Sequence, residues 1–380
     1  MNTALAFVGL DVHKETIAVA VADAPLRGEV RYLGTIANAA PDLHRLVTKL
    51  TLQHKSLEFV YEAGPCGYDI YRRLSAQGLN CTVVAPSRIP KRPGDRVKND
   101  HRDAVSLARL ARAGELTKIW VPDGIHEAMR DVVRARHAAN KDLKAARQRI
   151  SSFLLKHNCN YDKKLWTGRH LTWLSNRRFA HTAQQIAFQG YVNAMEQAVA
   201  RQAYLEEQIR ELLTSWELAP LVTALQSLHG VALIIAVSVV AEVGDLSRFD
   251  NAKQLMAFLG MVPGEYSSGS KVRPRGITKT GNISVRRLLY EAAWNYRHTP
   301  KVGAYKRQHM PEDIPQTAKD IAWKARLRLS KRYRQLEAKG KKAQIAVTAV
   351  ARELVGFMWA IACALRDERM AAAAPAARRS

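Results

Sequence analysis

Apolar residues recur along this chain with two periods, and the switches between them mark its elements. Residues 5–23, LAFVGLDVHKETIAVAVAD, hold two β-branched, apolar runs around His13-Lys14-Glu15, which predicts strand, tight turn, strand. Residues 28–36 can add a third strand. Leu43, Leu46, Val47 and Leu50 recur at helical spacing and predict a helix over 41–53. A short apolar strand over 57–61 ends at Glu62, and Ala63-Gly64-Pro65-Cys66-Gly67 makes a sharp turn. A helix with Ile70, Tyr71 and Leu74 inward stops at Gly78, and 81–85 is a buried strand closed by Pro86. Ala104, Leu107, Ala108, Leu110 and Ala111 place the next helix, with Asn99 or Asp100 as N-cap. An antiparallel meander followed by βαβ units is the ribonuclease-H-like order, so the expected fold class here is α/β.

Beyond 119–123, a linker with Trp120 and Pro122, the pattern turns helical. Residues 127–157 carry Arg130, Arg134, Arg136, Lys141, Lys144, Arg147 and Arg149 among small apolar side chains. Residues 158–190 are less regular. A second long helix is expected over 192–216, where Ala198, Gln202, Leu205, Ile209 and Leu212 are spaced as in a coiled-coil seam. Packing of the two helices within one chain and dimerisation through them are equal readings. Over 220–249, Leu228-His229-Gly230-Val231, an apolar helix and Gly244-Asp245 resemble a helix-hairpin-helix, which offers backbone amides to phosphates. A buried helix bounded by glycines is the plainer alternative. A basic helix over 317–335 carries Lys319, Lys324, Arg326, Arg328, Lys331, Arg332 and Arg334. An apolar helix over 343–365 is expected to pack on the serine-bearing loop at 266–270, and the Ala-rich tail from Met370 is expected to be disordered. The expected domains are therefore 1–120 (α/β), 121–216 (α-helical, coiled-coil linker), 217–369 (mainly α) and a tail, 370–380.

Charge narrows the function. The 380 residues include 59 Lys and Arg against 34 Asp and Glu, a net charge of +25, while 47% are hydrophobic. A folded chain this basic expects a polyanion, nucleic acid before an anionic membrane surface. Cys66, Cys81, Cys159 and Cys363 form no CxxC pair, which disfavours a zinc site or disulfide framework and suits a reducing cytoplasm. There is no basic segment followed by an apolar run at the N-terminus, and the apolar run Val231–Ala241 is too short to span a bilayer.

Chemistry concentrates in two stretches. Asp100 and Asp103 are three apart at a helix start, so both carboxylates point one way. The helix N-terminus partly offsets their repulsion, and a hard divalent cation, Mg²⁺ or Mn²⁺, would offset it better. A cap plus a solvated first-turn acid is the plain alternative for this stretch alone. Asp11 near the end of the first strand and Glu62 at the end of the fourth complete a set of four acids at topologically matched places. Residues 86–98, PSRIPKRPGDRVK, read as a phosphate-contacting loop leading to Asp100. The second stretch is Tyr266-Ser267-Ser268-Gly269-Ser270, followed by Lys271, Arg273 and Arg275, then Lys279-Thr280-Gly281-Asn282 and a helix with Arg286 and Arg287. Serine beside glycine among cations can bind an anion or attack a phosphodiester, although a loop serine is more often a turn residue.

GLDVHKETI, YEAGPCGYDIYRRL, VKNDHRDAVSLARL, LHGVALIIAVSVVAEVGDLSRF, FLGMVPGEYSSGSK and GITKTGNISVRRLLYEAAW together resemble the DEDD-type insertion-sequence transposases of the insertion sequence one-ten group, bridge-RNA-guided recombinases. The resemblance covers nearly the whole chain. It implies a RuvC-like domain, a helical linker and a C-terminal transposase domain. It also implies a metal-holding tetrad at Asp11, Glu62, Asp100 and Asp103, and a catalytic serine in the pair Ser268-Gly269, with Ser267 adjacent. Lys98, Arg102, Lys271, Arg273, Arg275, Lys279, Arg286 and Arg287 are the expected nucleic-acid contacts. The implied activity is cutting and rejoining DNA through a phosphoserine link, with Mg²⁺ or Mn²⁺ as cofactor. Implied partners are donor and target DNA, a structured noncoding guide RNA and further copies of the chain as a dimer or tetramer, in the bacterial cytoplasm at the nucleoid and away from membranes. Two other readings are a RuvC-like metal-dependent DNA endonuclease that uses water as nucleophile, and a non-catalytic nucleic-acid-binding protein.

Overall fold

A computed structural model describes residues 5–25, 27–90, 99–265, 274–301 and 310–373, and the chain divides into two compact units, Met1–Val121 and Pro122–Ser380. The first is a five-stranded sheet of β1 (Ala6–Val12), β2 (Thr16–Asp23), β3 (Val30–Ala37), β4 (Leu57–Glu62) and β5 (Asn80–Val84), in the order β3-β2-β1-β4-β5. β1 and β2 pair antiparallel, as do β2 and β3; β4 runs parallel to both β1 and β5. The helices are α1 (Ala40–Gln53), α2 (Asp69–Ala76) and α3 (Asp100–Arg112). This is the meander followed by βαβ that the hydrophobic pattern predicts.

Successive side chains of a strand point to opposite faces, and the two faces of this sheet differ in kind. Val8, Leu10, Ile17, Val19, Val21, Phe59 and Tyr61 pack with Leu43, Leu46 and Leu50 of α1 and Ile70 and Leu74 of α2. On the opposite face, Ala18, Ala20 and Ala22 meet Ala104 and Ala108 of α3. Gly9 sits under that helix. A Cβ there would lie 2.3 Å from the Ala104 carbonyl oxygen and 2.5 Å from the Ala108 nitrogen. Backbone therefore packs on backbone where α3 crosses β1. The helix is also stapled at its far end, where Arg112 donates to the carbonyls of Asp23 (3.2 Å) and Gly28 (2.7 Å). His101 stands edge-on to Tyr32 of β3 at 4.3 Å.

The second unit is helical apart from a short antiparallel pair, β6 (Pro263–Glu265) and β7 (Pro274–Ile277). Its long helices α4 (Gly124–Lys156) and α6 (Thr182–Leu213) lie side by side around Leu143, Ile150, Leu154, Phe188, Val192 and Met195. They run antiparallel, since Arg136 bonds Glu206 while Asp142 pairs with Arg201. α6 starts well before residue 192, and its first turn has no side-chain cap to announce it. The stretch expected to be irregular also contains α5 (Gly168–Ser175). Of the predicted seam, Ala198 and Ile209 are buried, whereas Leu212 is 42% exposed. The seam residues thus divide between the intramolecular interface and solvent.

α7 (Ala219–Leu225), α8 (Leu233–Val243), α9 (Ala252–Phe258), α10 (Ile283–Ala293), α11 (Gln316–Ala338) and α12 (Ala343–Ala373) complete the unit. Val237, Val240, Leu289, Val347, Leu354 and Ile361 form one core, so the apolar run at 231–241 is a buried helix. α12 packs on α7, α9, α10 and α11. By length and composition alone Ala343–Ala372 could cross a membrane, yet half of its apolar window is buried within the protein, as suits a core helix. α12 runs through Met370 to Ala373, into the first residues of the tail, where alanine favours helix. Residues 374–380 and the serine loop lie outside the described residues.

The packing at Gly9 yields a test. Gly9→Ala is expected to destabilise the N-terminal unit by about 1–3 kcal/mol, the usual cost of overpacking, read as a lower urea midpoint. A midpoint equal to that of the parent protein would show that α3 can back away from β1.

Candidate active site

The seam at Gly9 delivers the acids to one place. Along β1, Phe7, Gly9 and Asp11 share the face that α3 covers. At the start of α3 the Asn99 side chain accepts from the Arg102 amide at 2.8 Å, so of the two candidate caps, Asn99 and Asp100, it is Asn99 that serves. That leaves Asp100 and Asp103 in the first turn. Asp11 is only 17% exposed, Asp100 61%. Between them stands His13, whose Nε2 is 3.3 Å from Asp11 Oδ2 and 3.3 Å from Asp100 Oδ1. One ligand atom from each of Asp11, His13 and Asp100 lies within 4.8 Å of the others. Glu62 is the last residue of β4, where Tyr61 pairs with Leu10 of β1. Two residues before it, Val60 packs on Leu107 of α3, so by alternation Glu62 faces the same side as Asp11, at the same end of the sheet.

Electrostatics mark Asp11 as the strained member. Burial pushes its carboxyl pKa up from 3.8; the His13 ring opposes this, and the charges of Asp103 and Asp100 add to the rise. A half-buried carboxylate facing two more is a group that a divalent cation would relieve. The donor set, carboxylate oxygens plus one imidazole nitrogen, suits Mg²⁺ with difficulty at the nitrogen and Mn²⁺ readily. The sequence places His13 in the turn, where it lies, directly after β1; the signal for its role is its position two residues beyond Asp11.

The second chemical stretch is described only in part. Ser267, Ser268, Lys271 and Arg273, like Lys98, lie outside the described residues, and Arg275 falls on β7. The segment from β7 to α10 is tightly built. Lys279 has φ +59°, and a Cβ on Gly260 would lie 2.0 Å from the Thr280 carbonyl oxygen, so the Lys279–Gly281 turn is pressed onto the end of α9. Arg286 donates from Nη1 to the carbonyls of Leu259 (3.1 Å) and Thr280, and burial lowers its pKa. Its guanidinium braces the turn. Asn282 caps α10 by accepting from the Val285 amide at 3.1 Å and donates Nδ2 to Glu242 at 2.8 Å. Glu242, whose side chain is 7% exposed, also takes two bonds from Arg134 of α4, at 2.7 and 2.8 Å. Among the other expected contacts, Arg102 and Lys279 are exposed, and Arg287 lies 3.8 Å from Glu291.

An acid cluster at the end of such a sheet, under a capped helix, is the layout of a DEDD nuclease-like domain, and the comparisons agree. Residues 8–158 match a transposase model of the DEDD type of the IS110 group, and residues 222–307 match the model described as transposase IS116/IS110/IS902 family. A putative transposase of Sinorhizobium fredii is 49% identical over 94% of this chain and 88% of its own length. The transposase for insertion sequence element IS1533 of Leptospira borgpetersenii is 32% identical over 88% of this chain and 98% of its own. The transposase for IS1111A of Coxiella burnetii is 47% identical over a shorter stretch, 18% of this chain and 19% of its own. The chain belongs to the IS110 family of insertion-sequence transposases.

The shift at Asp11 sets the sign of a pH effect. A carboxyl raised by folding favours the protonated native state, so without metal its ionisation lowers stability as pH climbs above 3.8 through the folded value. In chelator, Asp11→Asn should therefore raise the thermal midpoint near pH 7, with a gain that shrinks toward pH 3.8. An equal midpoint for both proteins at neutral pH would contradict the burial argument.

Proposed function

We propose that this transposase cuts and rejoins DNA through a covalent phosphoserine intermediate at Ser268, with a divalent cation, Mg²⁺ or Mn²⁺, held by Asp11, Glu62, Asp100 and Asp103. A structured noncoding RNA selects the donor and target DNA by base pairing, and the protein acts as a homo-oligomer, dimer or tetramer, at the bacterial nucleoid. Residues 1–120 form the RuvC-like domain, 121–216 the helical linker and 217–369 the transposase domain. The observation that carries the metal assignment is the convergence of Asp11, His13 and Asp100 within 4.8 Å. The family supports the reaction class, and the net charge of +25 suits a large RNA with two duplexes.

In this reading the Ser268 oxygen attacks the scissile phosphorus, a serine–phosphate bond forms and the phosphorus–deoxyribose oxygen bond breaks. The serine proton leaves and the departing deoxyribose oxygen gains one. Attack by a deoxyribose hydroxyl on the phosphoserine reverses these changes, so rejoining consumes no nucleotide triphosphate. A bound cation would supply charge neutralisation and polarisation of the phosphate. The chain's own acids hold and orient it, and the α3 cap fixes two of them. His13 bridges Asp11 and Asp100 and so keeps the carboxylates together before loading. A hydrolytic reading, water in place of Ser268, draws on the same acids and differs only in the covalent step.

The test is an adduct assay. Protein, RNA transcribed from the element's flanks, labelled donor DNA and Mg²⁺ should give a protein–DNA band on a denaturing gel that Ser268→Ala abolishes and Ser267→Ala retains. Cleavage without an adduct would favour hydrolysis. Asp11→Asn and Ser268→Ala should each abolish recombination and leave nucleic-acid binding largely in place. Without any DNA, Mn²⁺ at about 100 times its dissociation constant should stabilise the parent protein by about 2.7 kcal/mol, and Asp11→Asn should remove most of that gain.

A further inference from the structure

The inner face of α11 is settled by packing: Ala318, Ala322, Ala325, Leu329 and Tyr333 are buried. Arg326 also turns inward, 6% exposed, with its charge felt at Tyr296, so it is not part of any surface. The outer face differs from an ordinary solvated helix. Trp323 and Leu327, one turn apart, are both 45% exposed. Beside them Lys324, Arg328, Lys331 and Arg332 line an open groove of about 750 Å³, with Gln335 and, from α12, Glu353. Glu353 is a carboxylate only 16% exposed, and it takes Arg328 Nε at 2.9 Å and lies 3.3 Å from Arg332 Nε. It accepts from Arg328 Nε and forms an ion pair with Arg332, while the Arg328 side chain remains 69% exposed. The lining thus sets four cations against one acid, with Leu327 among them and the exposed Trp323 one turn before it on the same helix.

We propose that this face of α11 binds an unpaired segment of nucleic acid, phosphates on Lys324, Arg328 and Lys331 and a base stacked on Trp323. The chemistry selects a single strand. In a duplex the base faces are already stacked on one another, so an indole on a basic stripe would meet only phosphates. A strand with free bases uses both features, since stacking and backbone neutralisation are the two sources of single-strand affinity. Leu327 extends the platform, and the anchoring at Glu353 orders the two arginines before a ligand arrives. The surface belongs to the second unit and deepens the nucleic-acid reading proposed above, on which it rests, by naming where an unpaired strand lies.

The test uses the full chain with a single-stranded oligonucleotide carrying 4-thiothymidine, and a duplex of the same sequence. Irradiation should cross-link the single strand to the peptide spanning 316–338. Trp323→Ala should cut that cross-link and the single-strand affinity by about tenfold, with duplex affinity unchanged and the thermal midpoint retained, because the side chain is exposed. Lys324→Gln with Lys331→Gln should weaken both ligands and make the salt dependence on single strands shallower by about 1.4 in log–log slope. Cross-links that map only elsewhere would overturn the assignment to α11 and leave nucleic-acid binding intact. No binding of either ligand would sink the wider reading instead. A Trp323→Ala protein that loses self-association but keeps its cross-link and affinity would make this face a protein contact, and the proposal would fall.

Discussion

The architecture of the N-terminal unit depends on one close approach, the backbone of α3 on the backbone of β1 at Gly9. A helix normally rides on a sheet across the thickness of two sets of side chains. Here Gly9, Ala18, Ala20 and Ala22 on the sheet and Ala104 and Ala108 on the helix remove most of that layer. Small residues bury little apolar area, so this face contributes less hydrophobic stabilisation than the Leu- and Val-rich face opposite. What it provides is proximity. With a spacer of leucines, the first turn of α3 would stand away from the end of β1, and Asp100 could not share His13 with Asp11. The repulsion among the acids is thus held by packing elsewhere: the large side chains under α1 and α2, the Arg112 staple and the Asn99 cap.

This division explains what the sequence discloses. Strand alternation and helical spacing are local, so β1 to β5 and α1 to α3 are legible in it, and so is a cap at Asn99 or Asp100. The acids are legible because they sit at element ends, where a charged residue breaks an apolar pattern. His13 is not, since His-Lys-Glu between two strands satisfies the rules for a turn, and it is within that turn, just past the end of β1, that its ring stands beside Asp11. The early start of α6 escapes for a similar reason: residues 182–191 have neither a side-chain cap nor a strong apolar stripe, and tertiary packing against α4 decides the matter. The coiled-coil spacing of α6 is real in the sequence but ambiguous in meaning, because a heptad seam reads the same whether its partner is α4 or another copy.

Charge is where counting residues misleads most. A net +25 treats every arginine as available to a polyanion. Arg112, Arg130 and Arg286 donate to backbone carbonyls, Arg134 is paired with a nearly buried Glu242, and Arg326 lies inside the core. These side chains join segments far apart in the chain: Arg134 and Glu242 are separated by 108 positions. Glu242 in turn holds Asn282, the cap of the helix after the basic loop. Among the described residues, these arginines are thus already engaged within the protein, although Arg134 stays 57% exposed.

The few acids of the chain therefore set how its many bases work. Glu242 and Glu353 are both largely buried, and each pairs with an arginine of another helix through its Nε. A carboxylate so placed removes one unit of charge from the surface but orders the guanidinium it holds, which lowers the entropy lost when an anion is later bound. At the N-terminal site the roles invert: Asp11 and Asp100 share one imidazole, His13, and the charges of Asp103 and Asp100 add to the rise of the Asp11 pKa. The two charge balances are thus opposite: at Glu353 one largely buried acid serves two arginines, and at Asp11 several acids share one histidine.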